Sequence, residues 1–93
     1  MLDFCTPHAR ARMQQRGIRP DELEMLLDFG TERHLHQQGC EVVFWDKKAR
    51  ARLAKRDPGA ARAAERVKRT YAVVGSSGEV ITIGHRYKRI PRD

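Results

Sequence analysis

The chain has 93 residues, 40% of them apolar, which allows one domain with a modest core and excludes a multidomain assembly. Its formal charge of +7 points to an acidic partner, nucleic acid being the commonest. No apolar run approaches the ~20 residues that span a bilayer, and no secretory leader precedes the first helix, so the expectation is a cytoplasmic protein with no membrane contact and with Cys5 and Cys40 as reduced thiols.

The first predicted element is a helix over roughly residues 7–16. Thr6 is a good N-cap, Pro7 suits the first helical position, and Gly17 suits the residue just past the end. A second helix opens at Pro20, with Asp21 and Glu22 placed well for its dipole. Leu23, Met25, Leu26 and Leu27 form its core stripe, Gly30 closes it, and Ile18 is positioned as a staple against Leu23.

After Gly30 the hydrophobic period changes from helical to alternating. Thr31–Gln38 reads as a polar, partly exposed strand, Gln38-Gly39 as a turn, and Glu41–Asp46 as a more apolar strand. Residues 47–68 are rich in Ala and Arg and have helical composition broken at Pro58-Gly59, which predicts two short helices or one helix and a mobile stretch. Tyr71–Gly75 is a strand, Ser76-Ser77-Gly78 a hairpin loop, and Glu79–Arg86 the last strand, followed by a basic tail. The predicted fold is therefore α+β: an N-terminal helical hairpin on one face of a four-stranded antiparallel sheet, with a basic helical insertion between strands two and three. The other sheet face is left open for binding. Residues 1–93 make one domain, with the insertion at about 47–69.

The charge is unevenly distributed. Residues 47–69 hold ten Lys and Arg against two acidic residues, whereas Asp21, Glu22, Glu24, Asp28 and Glu32 lie together with no cation between Asp21 and Glu32. His8, Arg12 and Arg16 recur at i, i+4 and i+8 on one face of the first helix. Such a row needs an anionic partner, either the acidic second helix or a phosphate. Thr82, His85, Arg86, Tyr87 and Lys88 come from the other end of the chain. If the helix lies over the end of the last strand, imidazoles, guanidiniums and a phenol share one pocket. RNA cleavage without metal uses such a set. One histidine removes the 2′-hydroxyl proton, an acid protonates the 5′-oxygen, and arginine stabilises the crowded phosphorane. The plainer alternative is local packing for His8, ion pairs from Arg12 and Arg16 to the second helix, and a solvated strand end at His85-Arg86.

The run His8-Ala9-x-x-Arg12-Met13-x-x-Arg16-Gly17-Ile18, followed by an acidic amphipathic helix, resembles the opening of a group of small bacterial domains that end in a strand like Val80-Ile81-Thr82-Ile83. That group is similar to the RelE-like toxins of the barnase–EndoU–colicin–RelE fold. The resemblance covers residues 6–30 well and 71–86 loosely. It implies a helical hairpin on a four-stranded sheet and RNA cleavage with an acidic antitoxin or immunity protein as partner. His8, Arg12 and Arg16 match its helix signature and Thr82 its strand; His85 and Arg86 enter from chemistry alone. The long basic stretch departs from a compact member.

The basic segment is a second constellation. Lys47, Lys48, Arg50 and Arg52 lead a series on helical spacing that can track the phosphates of RNA or the ribosome, or meet an acidic protein, and its plain alternative is a solvated helical face. A third is His34-x-His36 with Cys40, three potential zinc ligands without a fourth at recognisable spacing, so no metal or other cofactor is expected. The leading expectation is an RNA-binding, metal-independent endoribonuclease acting as a toxin. His8, His85 and Arg86 would be catalytic, and Arg12, Arg16, Thr82, Tyr87, Lys88 and the 47–52 cations would bind RNA. The alternative is a non-catalytic module binding RNA, the ribosome or a protein on the same fold.

Overall fold

A computed structural model describes residues 4–35 and 39–86. Four helices, α1 (Pro7–Arg16), α2 (Pro20–Phe29), α3 (Lys47–Arg56) and α4 (Pro58–Arg66), accompany four strands, β1 (Thr31–Leu35), β2 (Cys40–Phe44), β3 (Thr70–Val74) and β4 (Val80–His85). The strands form one antiparallel meander in the order β1-β2-β3-β4.

Local chemistry sets the helix ends. The Thr6 hydroxyl accepts from the Ala9 amide at 3.1 Å, and Gly17, at φ 66°, donates to the carbonyls that α1 leaves open while Ile18 donates to Met13. At α2 the Glu22 carboxylate reaches back to the Arg19 amide at 2.9 Å. Gly30 ends α2 in extended backbone rather than in the left-handed region, and its missing Cβ serves close packing instead. A Cβ there would lie 2.5 Å from the Leu26 carbonyl and 2.8 Å from a Val43 methyl.

The basic segment breaks one residue before Pro58-Gly59. Asp57 ends α3 and caps α4 through the Ala60 amide, Pro58 takes the first helical position, and Gly59 lies inside α4. The segment is also more than a charged insertion. Ala49, Leu53 and Ala64 are buried in the same core as Ala9, Met13, Ile18, Leu23 and Leu26, against Val43, Trp45, Ala72, Val80 and Ile83 of the sheet. All four helices thus share one sheet face, and α2 sits between sheet and insertion. Small alanines let α3 and α4 pack closely, while their long cations stay in water.

The start of the chain is tied to β4. Cys5 bridges Val80 in parallel, the Thr6 amide donates to the Val80 carbonyl at 3.0 Å, the Val80 amide donates to Phe4 at 2.8 Å, and the Thr6 hydroxyl donates to Ile81 at 3.1 Å. These bonds fix the first turn of α1 beside the start of β4.

Candidate nucleic-acid interface

Cross-strand register decides which side chains share the helix-free face, since directly opposite residues point the same way. One row runs Arg33, Val42, Val73, Thr82 and the next runs Thr31, Phe44, Tyr71, Gly84. Neither row, nor Cys40 or Arg86 on the same parity, carries a carboxylate of its own, but the Thr31 hydroxyl donates to the Asp46 carboxylate at 2.8 Å. Glu32 and Glu41 fall on the helical side, next to Val43 and Ala72. The face thus carries Arg33, Tyr71 and Arg86 around Phe44, but it is not left open as expected: Cys40, Val42 and Phe44 of β2 are buried on it, and Glu79 lies beside Gly75 and Ile81 at its far end.

His8 borders this face. It is exposed, and its Nε2 lies 3.3 Å from the Thr82 hydroxyl, the contact that the Thr6–β4 bonds make possible. Arg12, one turn further along α1, is half-buried, with its Nε shielded from water and unbonded; Arg16 is exposed. Neither arginine pairs with α2. The acidic helix satisfies other cations instead: the buried Glu22 takes Arg66 at 2.9 Å and Asp21 takes Arg19 at 3.4 Å.

Arg86 crosses the face from the end of β4. Its guanidinium sits 5.5 Å from the Phe44 ring centroid and donates to the Trp45 carbonyl at 2.8 Å. A cation is thereby held over an aromatic at the centre of the sheet. Tyr71 lies beside it. Its ring rests on Gly84, where a Cβ would come within 3.2 Å of both the ring edge and the phenol oxygen. Only a glycine lets the ring lie down there. Tyr71 and Arg33 were absent from the expected site, and strand parity is the signal that marks them, because both alternate out of phase with the core positions Val43 and Ala72. Tyr87 and Lys88, two further expected binding residues, lie outside the described residues, as does His36.

His8 and His85 do not meet. Thr82 and His85 are three residues apart on one strand, which puts their side chains on opposite faces and about 10 Å apart along the chain. His85 pairs with Thr70 on the helical side and lines a small cleft with residues 65–69. The expected shared pocket for two imidazoles is replaced by one imidazole at the border of the helix-free face and one beyond it. His34 and Cys40 are likewise separated, His34 facing Glu41 at 3.9 Å on the helical side and Cys40 buried on the other, so a zinc site drawing on both cannot form.

The basic segment occupies the helical layer, away from the helix-free face. Arg50 pairs with Glu65 at 3.0 Å and Arg52 donates to the Phe29 carbonyl at 3.2 Å, so both hold the fold together. Lys47 and Lys48 are exposed at the start of α3 and make no ion pair among the described residues. Two groups have shifted acidities. Burial pushes the Cys5 thiol up, with Arg10 opposing, which makes it an unreactive core thiol. Burial also pushes the Asp46 carboxyl up, but the Ala49 amide, the Thr31 hydroxyl and the Arg52 charge together outweigh it and leave Asp46 below the usual carboxylate value. Asp46 caps α3 and ties it to the start of β1.

No helix among the described residues is long and apolar enough to cross a membrane. No protein-family model matches the chain, and neither the curated proteins nor the solved structures contain a match to it.

Proposed function

We propose that the chain binds RNA on the helix-free sheet face and cleaves it as a metal-independent endoribonuclease, acting in the bacterial cytoplasm as a RelE-like toxin. The observation that carries this reading is His8 at 3.3 Å from Thr82, at the border of a sheet face that bears Arg33, Tyr71 and Arg86. Guanidiniums beside an aromatic ring and an imidazole suit phosphodiester and base together. An acidic antitoxin or immunity protein would occupy the same face and block it.

In the proposed reaction the 2′-oxygen attacks the adjacent phosphorus as the P–O5′ bond breaks. His8 takes the 2′-hydroxyl proton, and the 5′-oxygen leaves with a proton from an acid on the same face. With His85 on the far side of β4, we assign that role to the Tyr71 phenol on the same face. Arg86 and Arg33 supply fixed positive charge for the phosphorane oxygens, and Thr82 orients the His8 ring. Products would carry 2′,3′-cyclic phosphate and 5′-hydroxyl ends. Incubating purified protein with RNA in EDTA and mapping the ends tests the reading; loss of those ends in Tyr71→Phe, with RNA affinity kept, identifies the acid.

One observation favours a non-catalytic binding module on the same fold. Among the described residues the helix-free face is bordered by one imidazole rather than the pair that general acid–base cleavage uses most readily. That module would bind RNA, the ribosome or an acidic protein and show no turnover, and its affinity would fall with removal of Arg33 and Arg86.

A further inference from the structure

The β3–β4 register continues past its last strand pair. The Arg86 amide donates to the Arg69 carbonyl at 2.8 Å, so these two residues stand opposite each other next to the pair of Thr70 and His85. One residue along a strand the side chains change sides. Arg69 and Arg86 therefore fall on the helix-free face, in line with Tyr71 and Gly84. Like charges directly opposite in a sheet destabilise it. Arg86 turns inward, over the Phe44 ring and onto the Trp45 carbonyl. Arg69 is left exposed at the end of the row and makes no ion pair among the described residues. Asp46, the carboxylate that the β2–β3 register sets across from Arg69, is taken by the Thr31 hydroxyl and the Ala49 amide. An exposed arginine at a strand end is ordinarily solvated and nothing more. The place of this one relative to His8 and Tyr71 gives it a use.

Three rows follow one another on this face in two-residue steps along β4: Thr82 beside His8, then Gly84 with Tyr71, then Arg86 with Arg69. Each step advances ~6.7 Å, so the Arg69 row lies about 13 Å beyond Thr82. Burial on this face is concentrated on β2, whereas Tyr71, Val73 and Thr82 keep part of their surface, so the accessible path runs along β3 and β4. The phosphates of an extended single strand lie about 7 Å apart, twice the ~3.4 Å axial rise of a stacked strand. We infer that Arg69 holds the phosphate two steps from the one at His8, with a base stacked on Tyr71 between them, so that the ligand is an extended single strand of RNA. A duplex lacks both features, since its bases are stacked on one another and its phosphates follow more closely along the axis. This inference rests on RNA binding at the helix-free face but not on cleavage there. Arg69 is a binding residue and touches no reacting atom.

The test is titration of the isotopically labelled protein, followed by amide NMR, with 2′-O-methyl oligouridylates carrying one to four phosphates. These strands cannot be cleaved through their 2′-oxygens, so binding is read apart from any reaction. Wild-type affinity should climb with each of the first three phosphates and gain little from the fourth. Arg69→Gln should lose the third increment, a several-fold effect, and the slope of log affinity against log salt should flatten by about 0.7, one single-strand phosphate contact. Arg62→Gln removes an exposed cation from α4, in the helical layer, and should change neither quantity, which separates a local contact from net charge. Tyr71→Leu should weaken binding of the longer strands and erase the preference for a single strand over a duplex. The Arg69 side chain is exposed, so Arg69→Gln should melt with the wild type. Arg69→Gln that binds three phosphates as well as the wild type overturns the inference. So do equal losses in Arg62→Gln, or a duplex bound as tightly as the single strand. Wild-type protein that binds none of the strands overturns RNA binding at this face and this inference with it.

Discussion

Replacing Gly84 by alanine isolates what the Tyr71 ring does on the helix-free face. The added Cβ would lie 3.2 Å from the ring edge and phenol oxygen and 3.3 Å from Cζ, so the ring must move by a few tenths of an ångström or lift off β4. Tyr71 is only half-buried and its far side faces no described helix, so it has somewhere to go. The crowding therefore costs at the low end of overpacking, about 1 kcal/mol. Alanine also restricts the unfolded chain, which returns roughly 0.4–1 kcal/mol because Gly84 has no positive φ to lose. The net change in stability is about zero. Gly30→Ala is the internal contrast. Its Cβ would meet the Leu26 carbonyl at 2.5 Å and Val43 at 2.8 Å, deep between α2 and the sheet, where neither neighbour can yield. A loss of about 3 kcal/mol follows, lowering the melting temperature by roughly 12–24 °C for a domain of this size. Thermal melts of both variants beside RNA binding by fluorescence anisotropy check the pair. Gly84→Ala should melt with the wild type yet bind RNA several-fold more weakly. A Gly84→Ala protein that binds RNA normally would remove Tyr71 from the interface.

Other consequences follow from the same geometry. Glu22→Gln keeps the bond to the Arg19 amide but drops the charge facing Arg66; since Arg66 is largely exposed, the loss should stay near 1 kcal/mol by urea denaturation, and Glu22→Ala should cost about 2 kcal/mol by also uncapping α2. Asp46 titrates below its unfolded value of about 3.9, so it stabilises the fold fully above that pH and loses its contribution as pH falls through the lower folded value. The gap in stability between wild type and Asp46→Ala, about 1–2 kcal/mol near neutrality, should therefore narrow below about pH 4. Replacing Arg33 and Arg86 with glutamine should reduce RNA affinity and flatten its dependence on salt by roughly two phosphate contacts, whereas Lys47→Gln with Lys48→Gln should change both less.

Much of the fold is readable from local signals. Thr6, Pro7 and Gly17 bracket α1, Pro20 and Glu22 open α2, and the glycines around Ser76-Ser77 mark the last hairpin, because caps and turns are decided by neighbours within a few residues. The role of the basic segment is harder to read. Ala49, Leu53 and Ala64 are small and scattered among ten cations, so composition suggests a solvated arm where packing makes a core layer. The site divides in the same way. His8 beside Thr82 is where the helix signature and the last strand lead. The pairing of His8 with His85 fails on parity, since an odd step along a strand reverses the face. Tyr71 and Arg33 become visible only with the register of three strand pairs in hand, and the fit of a tyrosine ring on Gly84 is a tertiary fact with no local signature.

The most direct test of the central claim is RNA cleavage by the purified protein in EDTA, wild type beside His8→Ala, with and without ribosomes and with product ends mapped. The account predicts cyclic-phosphate and 5′-hydroxyl ends from the wild type, and their loss in His8→Ala with RNA affinity intact. Tight RNA binding with no cleavage under any of these conditions, or cleavage that survives His8→Ala, would contradict it.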